Sequence, residues 1–436
     1  MERINIIGGG LAGCEAAWQI AMRGQKARLF EMRPHRMTAA HRTDLLAELV
    51  CSNSLKSESI TNAVGLLKQE LLRLNSLIMK AAFMTRVPAG SALAVDRSEF
   101  ARAITDQIIS HPNIELIREE LTSLPGQELT IISSGPLTSP GLCSELRRLT
   151  GSDQLYFYDA ISPIVDAESV DSGKVFWASR YGKGEGSDYL NCPLTKEDYN
   201  RFYDGLMAGQ KVPLREFEKD LFFEGCLPIE EMAGRGRDVL LFGPLKPVGL
   251  CHPATGETFP AIVQLRKENV QGTMLNMVGF QTRLIHSEQE RIFRMIPGLE
   301  RAEFLRYGSL HRNTYIKSPS LLNKTLQLKG HPHVLIAGQL SGVEGYLEST
   351  AMGLVAGINA VRLLRGEEPV TAPPETLTGS LIQFICSSDS ASFQPMNSNF
   401  GLLPVLTKKI KNKGEKRALL AARSLETLEL WRETIG

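Results

Sequence analysis

The chain has 436 residues, 43 % of them hydrophobic and 22 % charged, which fits two or three folded domains and excludes a disordered, collagenous or disulfide-stapled miniature protein. Lys and Arg number 49 against 48 Asp and Glu, a formal charge of +1, so a nucleic-acid partner has to be held by a local basic patch and not by overall charge. The seven cysteines, Cys14, Cys51, Cys143, Cys192, Cys226, Cys251 and Cys386, are widely spaced with no C-x-x-C pair, which argues against zinc and a disulfide framework and for a reducing compartment.

In chain order, Arg3 to Ile7 reads as a buried strand and Gly8-Gly9-Gly10-Leu11-Ala12-Gly13 supplies G-x-G-x-x-G. Ala12 to Arg23 continues as a helix stopped by Gly24, and Lys26 to Phe30 is a second strand ending at Glu31. This is the βαβ context of a dinucleotide site. The glycines let the backbone approach a pyrophosphate at the helix N-terminus, and a carboxylate about 20 residues on accepts from both ribose hydroxyls. Glu31 would repel a 2′-phosphate, so the pattern indicates FAD or NAD over NADP. The early apolar run lacks a basic leader, and no stretch reaches the roughly 20 continuous apolar residues of a membrane span; a cytoplasmic location is expected.

Cys51, in Cys51-Ser52-Asn53-Ser54-Leu55-Lys56, precedes a helical run from Thr61 to Ala82, and both a helix start and Lys56 favour a thiolate. Thr130 to Ser134 is a further strand, closing on Gly135. Beyond about Asp159, β-like runs at Lys174 to Ala178, Val239 to Phe242, Ala261 to Leu265 and Met274 to Gly279 mix with helical stretches at Lys196 to Gln210 and Ser287 to Met295, an α+β pattern. Within it Tyr181 to Gly186 reads as a turn. Cys226 sits in a loop marked by Gly225 and Pro228, where a thiol is open to a substrate. His311 to Tyr315 is a polar stretch whose ring, cation and amide donors suit a planar heterocycle.

Val334 to Ala337 is a strand followed by a second glycine-rich turn, with Gly338, Gly342, Val343, Glu344 and Gly345, and then a long helix from Tyr346 to Arg365. A second helix N-terminus so far along the chain suits FAD, whose flavin lies far from its adenosine. Thr371 to Pro374 reads as a linker, the six basic residues from Lys408 to Arg417 as a solvated face or a phosphate contact, and Glu415 to Ile435 as an amphipathic helix.

The segments GGGLAGCEAA (Gly8 to Ala17), EMRP (Glu31 to Pro34), CSNSL (Cys51 to Leu55), VPAGSALAVD (Val87 to Asp96), GCLPIE (Gly225 to Glu230) and GVEGYLES (Gly342 to Ser349) together resemble the folate- and FAD-dependent tRNA (uracil-5-)-methyltransferases, the TrmFO family. The likeness runs through nearly the whole chain and is weakest after about residue 405. The related MnmG/GidA flavoproteins share the opening glycines but are longer and lack the CSNSL block.

The resemblance implies an α/β fold: a Rossmann-like, glutathione-reductase-like FAD-binding domain split into 1–159 and 330–375, an inserted α+β substrate domain at 160–329, and a C-terminal segment at 376–436. It also implies methylation of the T-loop uridine of tRNA (position 54), with 5,10-methylenetetrahydrofolate as carbon donor, FADH2 as reductant and NAD(P)H reducing the flavin, and no metal. The same chemistry on ribosomal RNA, or an MnmG-like or small-molecule FAD oxidoreductase, are the alternatives. Cys226 matches the family position of the nucleophile that adds to uracil C6, and Cys51 the second thiol, close to the flavin. Gly8, Gly9, Gly10, Leu11, Ala12, Gly13 and Glu31 would hold the cofactor together with the Gly338 to Gly345 turn. His311 is the choice for the wall opposite the flavin against the folate pterin, with Tyr346 nearby.

Overall fold

The strand Ile4–Ile7 is buried at every position because it runs through the middle of a parallel sheet covered on both faces, where a continuous apolar run is required. The computed structural model describes residues 3–152, 155–184, 186–212, 227–390, 393–407 and 410–435. In it Ile4–Ile7 lies between Ala27–Phe30 and Thr130–Ile132. The full order of this six-stranded sheet is Gln327–Leu328, His331–Ile336, Thr130–Ile132, Ile4–Ile7, Ala27–Phe30 and Ile114–Ile117, parallel except for the edge strand Gln327–Leu328.

Two helices, Leu11–Met22 and Tyr346–Leu364, cross one another at the sheet with almost no separation. A Cβ on Gly353 would lie 2.1 Å from the Ala12 carbonyl oxygen, and one on Gly357 2.8 Å from that of Ala16. Tyr346–Leu364 is long and apolar enough to span a bilayer by length and composition alone, but 83 % of it is buried inside the molecule.

The second six-stranded sheet is built wholly from residues between 164 and 306. It is antiparallel, in the order Phe176–Ala178, Tyr189–Leu194, Ala261–Lys267, Met274–Met277, Ile164–Asp166 and Phe304–Arg306. Its apolar face packs on Phe202, Phe280 and Phe293. A two-stranded ribbon, Leu155–Ile161 with Ser309–Tyr315, runs alongside. A small sheet of Ser54–Ser57, Ala92–Val95 and Arg86–Val87 carries the segment after Cys51.

Three local readings change. Val239–Phe242 is a single helical turn and not a strand; four apolar residues fit either, and here Leu240 is buried while Phe242 is 84 % exposed. The Thr61 to Ala82 run is two helices, Ala63–Arg73 and Leu77–Met84. It breaks because Asn75 adopts φ 60° and Ser76 caps the second helix by accepting from the Met79 amide at 3.2 Å. His311 to Tyr315 lies in a strand, with His311 opposite Asp159. The final helix is Lys413–Ile435, tied to Ala63–Arg73 by the Ser424 hydroxyl, which donates to Glu70 at 2.7 Å.

Candidate functional site

The first strand ends at a cleft lined by the Gly8 to Ala12 turn, Glu31, the Ser133 to Ser139 loop, Gly338 and Tyr346. Glycine is required at two of these positions and leaves open space at a third. Gly8 has φ 106°, a Cβ on Gly13 would sit 1.9 Å from the Gly8 carbonyl oxygen, and a Cβ on Gly10 would meet nothing within 4 Å, so the backbone there is bare toward the cleft. Helix Leu11–Met22 has Gly10 at its N-cap, no side-chain cap and no acidic residue in its first turn. Its leading N–H groups are left for an anion, the arrangement a pyrophosphate needs.

Glu31 is 6 % exposed. Its Oε2 accepts from the Gly9 amide at 2.9 Å, and its Oε1 accepts from the Arg33 amide at 3.0 Å and Arg33 Nε at 2.9 Å. Burial alone would raise this carboxyl, but the hydrogen bonds and charge of Arg33, with the Gly9 amide, hold it below the ordinary glutamate value. With about two acceptor positions per oxygen, Oε1 is filled and Oε2 has one left. The carboxylate thus has room for one ribose hydroxyl, where the sequence reading had two. A dinucleotide cofactor fits these residues: a cradle open at Gly10, uncapped helix donors and an ionised acceptor.

Cys51 stands directly after Val50, which lines the same cleft. The Tyr346 hydroxyl accepts from the Cys51 amide at 2.9 Å and the Ser52 amide at 3.1 Å, while Tyr346 itself lines the cleft. Burial, and then the neighbouring Cys51, push this phenol well above its ordinary value, so it stays protonated. Arginines from distant segments hold the rest of the turn. Arg97 donates to the Leu49 carbonyl and pairs with Glu268 at 2.9 Å, and Arg306 donates to the Val50 carbonyl at 2.9 Å. Arg266, 5 % exposed, donates to Asn53 Oδ1 and Ser52 Oγ, each at 3.0 Å. Burial would lower Arg97, but Glu268, and after it Tyr346 and Cys51, raise it. Burial, then Arg97, lower Arg306. Glu268, Arg266 and Arg306 belong to the second sheet's segment, so that segment clamps a turn that follows the first sheet's opening strands.

Among the residues singled out from sequence, Gly8, Gly9, Gly10, Leu11, Ala12, Glu31, Gly338 and Tyr346 line the cleft, and Gly13 lies directly beneath, against Gly8. Gly342 (φ 87°) and Gly345 (φ 122°) shape the second turn. Val343 is fully buried and bridges to Met396, and Glu344 accepts from Gln339 Nε2 at 2.6 Å. These four brace the wall behind Gly338. His311 is placed by its strand alone, and Cys226 lies outside the described residues. Sequence reasoning missed Arg33, Arg97, Arg266 and Arg306; the signal for Arg33 and Arg97 was a charge at the edge of an apolar block, EMRP and ALAVDR.

A parallel sheet that presents an uncapped glycine turn and a buried carboxylate to a deep cleft defines a dinucleotide-binding α/β protein, here with a cysteine turn at the cleft wall. The family model for glucose inhibited division protein A matches residues 3–368. A Geobacter sulfurreducens protein named methylenetetrahydrofolate--tRNA-(uracil-5-)-methyltransferase TrmFO is 59 % identical over 432 residues, 99 % of both chains. The protein of that name from Heliobacterium modesticaldum is 57 % identical, covering 98 % of this chain and 97 % of its own. Among solved structures, Aquifex aeolicus GidA in its form II crystal is similar in fold, with a TM-score of 0.68 at 17 % identity over 99 % of this chain and 75 % of that one. The chain belongs to the glucose inhibited division protein A family, on its TrmFO branch.

Proposed function

We propose that the chain methylates C5 of the T-loop uridine of tRNA in the cytoplasm, taking carbon from 5,10-methylenetetrahydrofolate and reducing equivalents from NAD(P)H through FAD. What supports the reading most is one contact: Tyr346 lines the dinucleotide cleft and accepts the Cys51 and Ser52 amides, so a cysteine sits beside the cradle. The 59 % identity to a TrmFO protein over 99 % of the chain agrees with it. We read the chain as a split FAD-binding domain, 1–159 and 330–375, around a substrate domain at 160–329, with 376–436 as an RNA-contacting C-terminal segment.

FAD would be held by the Gly8 to Gly13 turn and Glu31 and would supply a hydride for the final methylene-to-methyl reduction. The residues do the rest. Uracil C5 is a poor nucleophile until a thiolate adds at C6; Cys226 takes that role. Cys51, whose amide is held by Tyr346 and whose neighbours Leu49 and Ser52 are held by Arg97 and Arg266, is assigned the one-carbon or proton-transfer step. The ring of His311 walls the folate pterin. The base has to leave its stack to reach either thiol, at a cost of a few kcal/mol, and loop shape selects it.

The test is direct. Purified chain with FAD, NADPH and methylenetetrahydrofolate should form 5-methyluridine on unmodified tRNA transcript and not on a competing ribosomal RNA fragment. Cys226→Ala should abolish this and trap no RNA adduct on the protein; a Cys226→Ala variant that turns over like the parent would overturn the assignment.

A further inference from the structure

Lys68 is 1 % exposed in helix Ala63–Arg73, on the stripe that also carries Leu67 and Leu71, positions at which an apolar residue would be expected. Its Nζ donates to three successive backbone carbonyls, Leu55 at 2.6 Å, Lys56 at 3.3 Å and Ser57 at 2.6 Å. In a regular strand alternate carbonyls point to opposite sides, so three in a row cannot converge. Here they do because Lys56 adopts φ 65° and the register between Ser54 and Ser57 is shifted against Ala92–Val95. The backbone has been bent into a left-handed conformation that a lysine disfavours, and what it gains is a cation seat. An ammonium has three donors for three acceptors; a neutral amine has two. Among the described residues no carboxylate lies within ion-pair distance of Lys68, and its direct partners are the three carbonyls.

We propose that Lys68 is a positioning residue for the thiol turn: its ammonium, seated on the carbonyls of Leu55, Lys56 and Ser57, fixes the strand that begins three residues after Cys51 and thereby the place of that thiol at the cleft. The strand and the turn are continuous. The Ser54 amide donates to Ser52 Oγ at 3.1 Å, the same oxygen that receives Arg266, and the Asn53 carbonyl accepts the Val95 amide at 3.0 Å. Arg97, Arg266 and Arg306 fasten the turn from one side; Lys68 fastens its exit from the other.

The charged groups facing Lys68 are Glu348, from helix Tyr346–Leu364, and Lys56 and Glu58, from the strand that it seats on and the residue just beyond. Burial pulls the amine down to about 8, Glu348 and Glu58 draw it back up, and Lys56 lowers it. The sign for global stability follows. The folded state loses this proton before the unfolded state does, so from about pH 8 toward the ordinary lysine value the group makes folding more favourable. An opening of the opposite sign is one that draws the three carbonyls away while helix Ala63–Arg73 keeps the amine buried, since it removes acceptors from the ammonium without rehydrating it; loosening at high pH is then confined to the strand and its turn.

This inference rests on the reading of Cys51 as a reacting thiol, but one arm of its test does not. In the flavin-loaded full chain, Lys68→Met should speed amide exchange of residues 51–57 by about 10-fold or more, with helix 63–73 unchanged. Unchanged exchange in 51–57 would overturn the proposal. In the methyl-transfer assay Lys68→Met should lower kcat with KM for tRNA and the rate of flavin reduction held, and should lose the alkaline limb of the parent's pH profile. A variant that keeps the parent's kcat and limb also overturns it. If Lys68→Met does not fold, parent exchange is compared between about pH 7 and pH 9.5 after correction for intrinsic base catalysis. Protection should then fall in 51–57 and not in 63–73, and parallel behaviour of the two segments would overturn the assignment. Failure of the parent to methylate any RNA would sink the proposed function and leave the exchange result standing.

Discussion

The dinucleotide cradle is backbone, while the thiol turn beside it is held by side chains from far away. Between Gly8 and Gly13 the shape is set by φ 106° at one glycine, a 1.9 Å clearance at another and bare helix amides between. At Cys51 the supports are Tyr346, Arg97, Arg266 and Arg306, each reaching in from a different stretch of chain. A backbone cradle needs only a short run of residues and tolerates almost no side chain. A turn held by long basic side chains depends on the second sheet being in place, and its parts are bought with buried charge. The two can fail separately.

Breaking the charged clamp should have the largest effect. Arg97→Gln leaves Glu268, 1 % exposed, with an uncompensated buried charge, at a cost of about 3 to 5 kcal/mol. Thermal unfolding should show this, and the protein that remains folded should still bind flavin, because no cradle residue is touched. Loss of flavin in step with the clamp would erase the distinction between the two regions.

The reverse experiment is Gly13→Ala. Its new Cβ meets the Gly8 carbonyl oxygen at 1.9 Å, backbone that cannot swing aside, as well as Ser133 Oγ at 2.8 Å, so about 1 to 3 kcal/mol of overpacking strain falls on the cradle. Flavin retention measured by absorbance after gel filtration should drop sharply, while amide exchange of residues 51–57 keeps the parent pattern.

Tyr346→Phe is the mildest and sharpens the contrast most, because Tyr346 belongs to both regions. It removes one acceptor from the Cys51 and Ser52 amides and keeps the ring at the cleft. Leaving those donors without their partner costs about 1 to 3 kcal/mol. The flavin should stay bound, alkylation of Cys51 mapped by mass spectrometry should quicken, and methyl transfer should slow. Unaltered alkylation would mean that the amide contacts do not place the thiol.

The same contrast explains what was legible in the sequence. Gly8 to Gly13 and Glu31 were readable because a short contiguous motif carries its own geometry, and the long Tyr346–Leu364 helix was readable from its apolar length. The partner of Glu31 was not. Arg33 stands two residues away, but nothing in its spacing says that it folds back with 2 % exposure to occupy one carboxylate oxygen. Lys68 was hidden for a different reason: inside a helical run a lysine reads as solvent-facing, and only the bend at Lys56 reveals the seat it fills. Val239–Phe242 misled because four apolar residues have no period to read. Arg266 and Arg306 act more than two hundred residues from the turn they hold, a distance that no local pattern spans.

The helix crossing at Gly353 and Gly357 has a consequence for synthesis. Leu11–Met22 leaves the ribosome early, yet the surface it needs, and the strand His331–Ile336 that pairs with Thr130–Ile132, are translated more than three hundred residues later. Until then the nascent chain carries an unpaired strand edge and an uncovered Ala12 to Ala16 helix face, the kind of species that chaperones shield. A ribosome that stalls inside the intervening segment strands an opening βαβ unit that is covered by the residues around Leu74 to Ile78 on one side and open on the other.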